Sequence, residues 1–128
     1  MNFLGTLAVA AGAAAGAWLR WLLGIVLNPV FPTVPLGTFA ANMLGGFLMG
    51  LALGVFTRYE ALSPEARLFV TTGFLGGLTT FSTFSAEATT LLARQQFGWG
   101  ALLIGGHVAG SILMTFAGIA TARLLFRI

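Results

Sequence analysis

The sequence predicts an all-α integral membrane protein of four transmembrane helices, the third broken near its centre. Three observations carry that prediction. Hydrophobic residues make up 58% of the chain and charged ones 7%, with a mean hydropathy of +0.97, whereas a soluble domain carries roughly 25% charged residues. The charged and proline-bearing positions divide the 128 residues into about four apolar stretches, each long enough for the ~20 residues that a bilayer crossing needs. The stretch Thr71–Glu87, TTGFLGGLTTFSTFSAE, places three glycines, five threonines, two serines and a glutamate inside one of those stretches. Such groups at membrane depth destabilise a span unless the freed backbone finds partners or lines a cavity.

The composition also excludes function classes. There is no cysteine, so no disulfide, thiolate nucleophile or cysteine metal site. One histidine, His107, and three acids, Glu60, Glu65 and Glu87, are thin material for hydrolytic or metal-dependent catalysis. The six basic residues are all arginine, and the net charge of +3 includes no basic run of the kind that marks a nucleic-acid partner. The N-terminus has no charged n-region, and its apolar run outlasts a signal peptide, so it reads as the first span.

That span runs from about residue 3 to 26. Gly12 and Gly16 form a small-xxx-small pair that permits close helix contact. Trp18 and Trp21 bracket Arg20, which is either an interfacial anchor or a fixed positive charge at the mouth of an anion path. Three of the four prolines lie in Asn28–Pro35, an uncharged turn. Span two covers about 36 to 56. Thr38 and Asn42 share a face at i, i+4, and Gly46, Gly50 and Gly54 make a groove for another helix. In the next loop Ser63-Pro64-Glu65 has the pattern of an N-cap, a first-turn proline and an acid near the helix dipole.

Span three, about 67 to 93, is longer than one straight crossing. The surplus fits an interruption between Gly73 and Thr80, either a glycine kink or a true break exposing carbonyls on one side and N–H groups on the other. Phe81 and Phe84 follow at i, i+3 on one face, among Ser82, Thr83 and Ser85. Span four, about 100 to 122, carries His107, Ser111 and Thr115 at i, i+4, i+8. His107 is a candidate proton carrier or a neutral hydrogen-bonding group.

Four spans put both termini on one side, with Arg58, Arg67, Arg123 and Arg127, against Arg20 and Arg94 on the other. Positive charge in cytoplasmic loops sets orientation, and a bias this small allows insertion both ways and an antiparallel pair. The polar groups inside the spans, Thr38, Asn42, Ser82, Thr83, Ser85, His107 and Ser111, are nearly all donors, and only Glu87 is negative. Phenyl edges are the positive part of the ring quadrupole. A small anion fits this set better than a cation. Stripping an ion of water costs on the order of 20 kcal/mol by the idealised Born estimate, and each hydrogen bond to a charged group returns roughly 1.5–3 kcal/mol. Several donors in series are therefore required.

GGLTTFSTFSAE at 76–87, PLGTFAANMLGG at 35–46, GAWLRW around Arg20 and FGW at 97–99 together resemble the Fluc family of bacterial fluoride channels, in order and spacing, over essentially the whole chain. The resemblance implies a dual-topology antiparallel homodimer in the bacterial cytoplasmic membrane with two pores, passively expelling fluoride. It implies that Phe81 and Phe84 are pore phenylalanines, one of each kind per pore from opposite subunits. It also implies that Asn42, at the end of its Thr38 stripe, lines the pore with Ser82, Thr83 and Ser111, and that a sodium ion sits at the break on main-chain carbonyls of Gly76 and Thr79. His107 stands where some members carry tyrosine. Hydrogen fluoride enters cells as a neutral weak acid and dissociates inside, so an inside-negative potential drives the anion out through a passive channel. The rival reading is a small dual-topology proton-coupled exporter. Such a protein needs a membrane-embedded acid, typically in the first span, where this chain has Arg20.

Overall fold

The computed structural model describes every residue, Met1–Ile128, and is helical without a strand. Helix α1 (Phe3–Leu27) begins where Asn2 Oδ1 accepts the Gly5 N–H at 2.7 Å, a cap worth about 1 kcal/mol. A single 3₁₀ turn, Asn28–Val30, follows, and Asn28 Oδ1 accepts the Gly37 N–H at 2.8 Å, tying the connection to the start of α2 (Leu36–Arg58). The Arg67 guanidinium closes the far end of α2. It donates to the carbonyls of Phe56, Tyr59, Glu60 and Leu62 at 3.2–3.4 Å, satisfying oxygens that a helix terminus leaves free.

The segment expected as the third span is a series of pieces. Helix α3 (Pro64–Leu68) starts on the expected cap, with Ser63 Oγ accepting the Ala66 N–H at 3.1 Å. Phe69–Leu75 is wound as a π-helix, α4 (Gly76–Leu78) is a single turn, and α5 (Phe81–Ala93) completes the series. Between Pro64 and Ala93 the helical winding gives way to extended backbone at Thr79 and Thr80, with ψ of 155° and 117°. The interruption expected across Gly73 to Thr80 thus narrows to its last two residues. The glycines serve a different purpose. Side chains at Gly12 or Gly16 would collide with the backbone of Phe69–Leu78, so these glycines let α1 lie directly against the π-wound segment and α4.

Helix α6 (Phe97–Phe126) is longer at both ends than the expected 100 to 122. Its early start comes from a compact reversal: Gln95 takes φ 58°, its N–H bonds the Leu92 carbonyl at 3.0 Å, and the Gln96 N–H bonds the Leu91 carbonyl at 2.9 Å. This is the Schellman pairing that usually has glycine at the left-handed position. Phe97, Gly98 and Trp99 therefore form the first turn of α6 instead of a connection. The groove of α2 receives α6, and a side chain on Gly50 would strike the Thr115 carbonyl.

Three helical stretches are long and apolar enough to cross a membrane: Phe3–Val30, Leu36–Arg58 and Phe97–Phe126. Only 22 of 128 residues are buried, and large apolar side chains such as Trp18, Trp21, Leu113, Phe116 and Leu124 face outward. That distribution suits a hydrocarbon solvent and makes the chain a multi-pass membrane protein.

Candidate functional site at the helix break

The break between α4 and α5 is held open by one side chain. Thr80 N–H donates to Asn42 Oδ1 at 2.8 Å, and Asn42 Nδ2 donates to the Thr80 carbonyl at 3.1 Å. Asn42 on α2 thus pairs with the Thr80 peptide groups as a neighbouring strand would. Continued helix would send the Thr80 N–H to the Gly76 carbonyl, so the clamp withholds that partner from Gly76. The same happens one turn later. Thr83 N–H bonds Thr80 Oγ1 at 3.1 Å as the cap of α5, which takes it away from the Thr79 carbonyl. Thr79 Oγ1 meanwhile donates to the Leu75 carbonyl at 2.9 Å. Arg20 reaches across from α1, and its Nε donates to the Gly77 carbonyl at 3.0 Å.

A cleft of about 460 Å³ opens beside the break. It brings together Asn42, Gly76, Thr79, Phe81, Phe84, His107 and Ser111 of the residues singled out in the sequence. The two phenylalanines differ in setting. Phe84 is 8% exposed and packs with Ala88, Leu91 and Leu103, whereas Phe81 is 77% exposed, with their ring centroids 5.5 Å apart. His107 is buried between Phe84, at 4.8 Å, and Phe39, at 5.3 Å. Its Nδ1 accepts the second Asn42 Nδ2 hydrogen at 3.0 Å, so the ring carries its proton on Nε2, which is buried without a partner. Ser111 Oγ donates to the Val108 carbonyl of its own helix, and Thr115 Oγ1 bridges to the Gly46 carbonyl on α2 at 3.1 Å.

Several expected placements are changed. Asn42, a pore-lining residue by the resemblance and, as an asparagine in a span, also a candidate link between helices, has both amide hydrogens engaged by Thr80 and His107. Thr38 is buried and does not line this cleft, and its hydroxyl donates to Glu87 Oε1 at 2.5 Å, which gives Glu87 a partner that spacing does not reveal. Glu87 Oε2 remains buried and unpartnered. Arg20 lies along the break, its Nε donating to the Gly77 carbonyl, again a partner that spacing does not reveal. Ser82 is exposed and sits 3.3 Å from Thr80 Oγ1. Thr83 lines a second cleft, of about 370 Å³, with Glu87, Thr90 and Arg94. Thr80, which clamps and caps the break, was not singled out. Its signal was a hydroxyl three residues before another helix N–H, directly after a glycine-rich segment.

No group of three or more His, Cys or acidic side chains converges on a metal position. The arrangement offers carbonyl oxygens on one side of the break, and hydroxyl and imidazole groups beside aromatic rings on the other.

Residues 7–119 match the family model described as CrcB-like protein, Camphor Resistance (CrcB). A protein of Nitrosospira multiformis named "Fluoride-specific ion channel FluC" is 57% identical over 125 residues, covering 98% of both chains. Proteins of the same name from Aromatoleum aromaticum and Cupriavidus taiwanensis are 59% identical over 119 residues and 52% identical over 125. They cover 93% and 98% of this chain and 91% and 99% of their own.

Proposed function

The chain belongs to the CrcB-like family, and from that membership we propose that it is a passive fluoride-selective channel of the bacterial cytoplasmic membrane, working as an antiparallel homodimer with two pores. The family is one of ion channels, not enzymes. The observation that carries the reading is the match, along 98% of both chains, to a protein named for fluoride conduction. The geometry agrees with it at the break. Phe81, Phe84, His107 and Ser111 border one cleft, and the exposed Phe81 ring is free to enter the cleft of a second copy. Each pore then takes one phenylalanine of each kind. Ser82 and Thr83 continue the hydroxyl lining, while Asn42 shapes the path by holding Thr80 and His107. The α3-to-α5 series makes the fourth crossing.

The donor set also fits a sodium ion. The Gly76 and Thr79 carbonyls lack their usual helix N–H partners, and both residues line the cleft. A side chain on Gly76 would meet only the Thr71 carbonyl, at 3.6 Å. Hard cations take oxygen ligands and about six of them, so one chain is insufficient and a second copy completes the cage. The ion neutralises carbonyl dipoles that otherwise repel one another. Exchanging sodium for a large organic cation is expected to lower the thermal stability of the purified dimer. A site filled to about 100 times its dissociation constant contributes about 2.7 kcal/mol. Identical melting in both cations removes the ion from this reading.

The function is tested with the purified protein alone in liposomes. Fluoride efflux followed by a selective electrode should proceed without a proton gradient, whereas a proton-coupled exporter requires one. Labelling of a C-terminal tag in cells should find it on both sides of the membrane. Tags confined to one side overturn the antiparallel dimer, and absence of efflux overturns the channel.

A further inference from the structure

Resting on the channel reading above, we infer that the second cleft is an anion mouth contained within one protomer, and that Arg94 is the charge that draws fluoride into it. The cleft of about 370 Å³ is lined by one side of α5. Thr83, Glu87, Thr90 and Arg94 stand at i, i+4, i+7 and i+11, which is a single helix face. At 1.5 Å per residue that face rises about 16 Å, roughly half of the ~30 Å hydrocarbon thickness. Thr33, from the connection between α1 and α2, and Gln96 form the opposite wall. The stripe starts at Thr83, whose neighbour Phe84 borders the first cleft. The second cleft therefore starts one residue along α5 from the first and runs toward the end of that helix.

The electrostatics of this mouth require a cation. The C-terminus of α5 carries about half a negative charge from its aligned peptide dipoles, and Glu87 lies on the same face. That helix end repels an approaching anion. Arg94 caps that helix, is exposed, and is the one arginine lining either cleft. Arg20 is bonded to the Gly77 carbonyl, and Arg67 to the carbonyls at the end of α2. Arg20 lines neither cleft, so the charge at this mouth is that of Arg94. A fixed charge at the rim of a low-dielectric cleft raises local counter-ion concentration and entry rates by about 10 to 10³, and salt removes the effect.

The experiment measures fluoride efflux from liposomes at about 0.01 M and about 1 M ionic strength, where the screening length is about 30 Å and 3 Å. Arg94→Gln is expected to slow efflux about tenfold at low salt and less than about twofold at high salt, with Arg94→Lys near the parent at both. Thr33→Glu leaves Arg94 in place and should slow efflux with the same salt dependence. It stands in for Arg94→Gln where that variant does not fold. Equal efflux by Arg94→Gln and the parent at low salt, a loss that high salt does not relieve, or failure of Arg94→Lys to restore the rate each overturns the inference while leaving the channel intact. A parent protein without efflux at either salt takes the channel reading down with it.

Discussion

Phe81→Ile and Phe84→Ile are each expected to slow fluoride efflux by up to roughly thirty-fold, while differing sharply in their effect on folding. Isoleucine preserves apolar bulk and removes the ring quadrupole. An ion–ring contact is worth about 0.5–2 kcal/mol by analogy with cation–π pairs, and 2 kcal/mol on a barrier corresponds to roughly thirty-fold. Stability separates the two positions. Phe84 is buried against Ala88, Leu91 and Leu103 and stacks near His107 at 4.8 Å, so its replacement also loses an aromatic contact of about 0.5–1.5 kcal/mol. Phe81, 77% exposed in the protomer, has little packing to lose. Its replacement should leave the protomer's melting unchanged and still slow both pores, because each pore takes one ring of each kind. Efflux and thermal unfolding measured on the same preparations decide the matter. A folded double variant with full efflux reduces both rings to packing.

The difference between the two phenylalanines shows what a linear sequence reveals. Their i, i+3 spacing assigned them one helix face, and the structure keeps them adjacent, yet nothing local distinguishes the buried ring from the exposed one. The limits of α1 and α2 were legible within a few residues, because apolar run length and the prolines of Asn28–Pro35 determine them. The glycine pairs were legible as contact surfaces because a missing side chain has few other uses in a span. The start of α6 was not, since its reversal uses Gln95 in a left-handed conformation where glycine is the usual signal. The site was least legible where hydrogen bonds join distant positions. Asn42 to Thr80, Arg20 to Gly77 and Thr38 to Glu87 are 38, 57 and 49 residues apart. Periodicity places each residue on a face but does not choose between a partner and a passing ion. Asn42 is the clearest instance: its place on a span allowed both a link between helices and a place in the pore lining, and the structure shows its bonds to Thr80 and His107.

That engagement determines what Asn42→Asp should do, and it is expected to be the most damaging single change. The carboxylate retains an acceptor for the Thr80 N–H but loses both amide hydrogens. The Thr80 carbonyl and His107 Nδ1 are then left facing an acceptor, where they now receive bonds of 3.1 and 3.0 Å. Each buried group left unsatisfied costs about 1–3 kcal/mol, and a negative charge beside the anion path adds to both. Fluoride efflux should fall by more than about a hundredfold, which corresponds to about 2.7 kcal/mol on the barrier, with a clear loss of thermal stability. Asn42→Ala separates the charge from the clamp: it removes both amide-hydrogen bonds and also the acceptor for the Thr80 N–H, without adding a carboxylate, so it should lose stability as well while retaining more efflux. The histidine supplies an independent readout. In the parent the Asn42 amide, fixed by two bonds to the Thr80 backbone, donates to Nδ1 and keeps the ring proton on Nε2. In Asn42→Asp the acceptor beside Nδ1 favours a proton there, so nitrogen chemical shifts of His107 should report a changed protonation pattern. Full efflux, unchanged melting and an unchanged ring in Asn42→Asp together would show that neither the clamp nor the histidine contact shapes the conducting state.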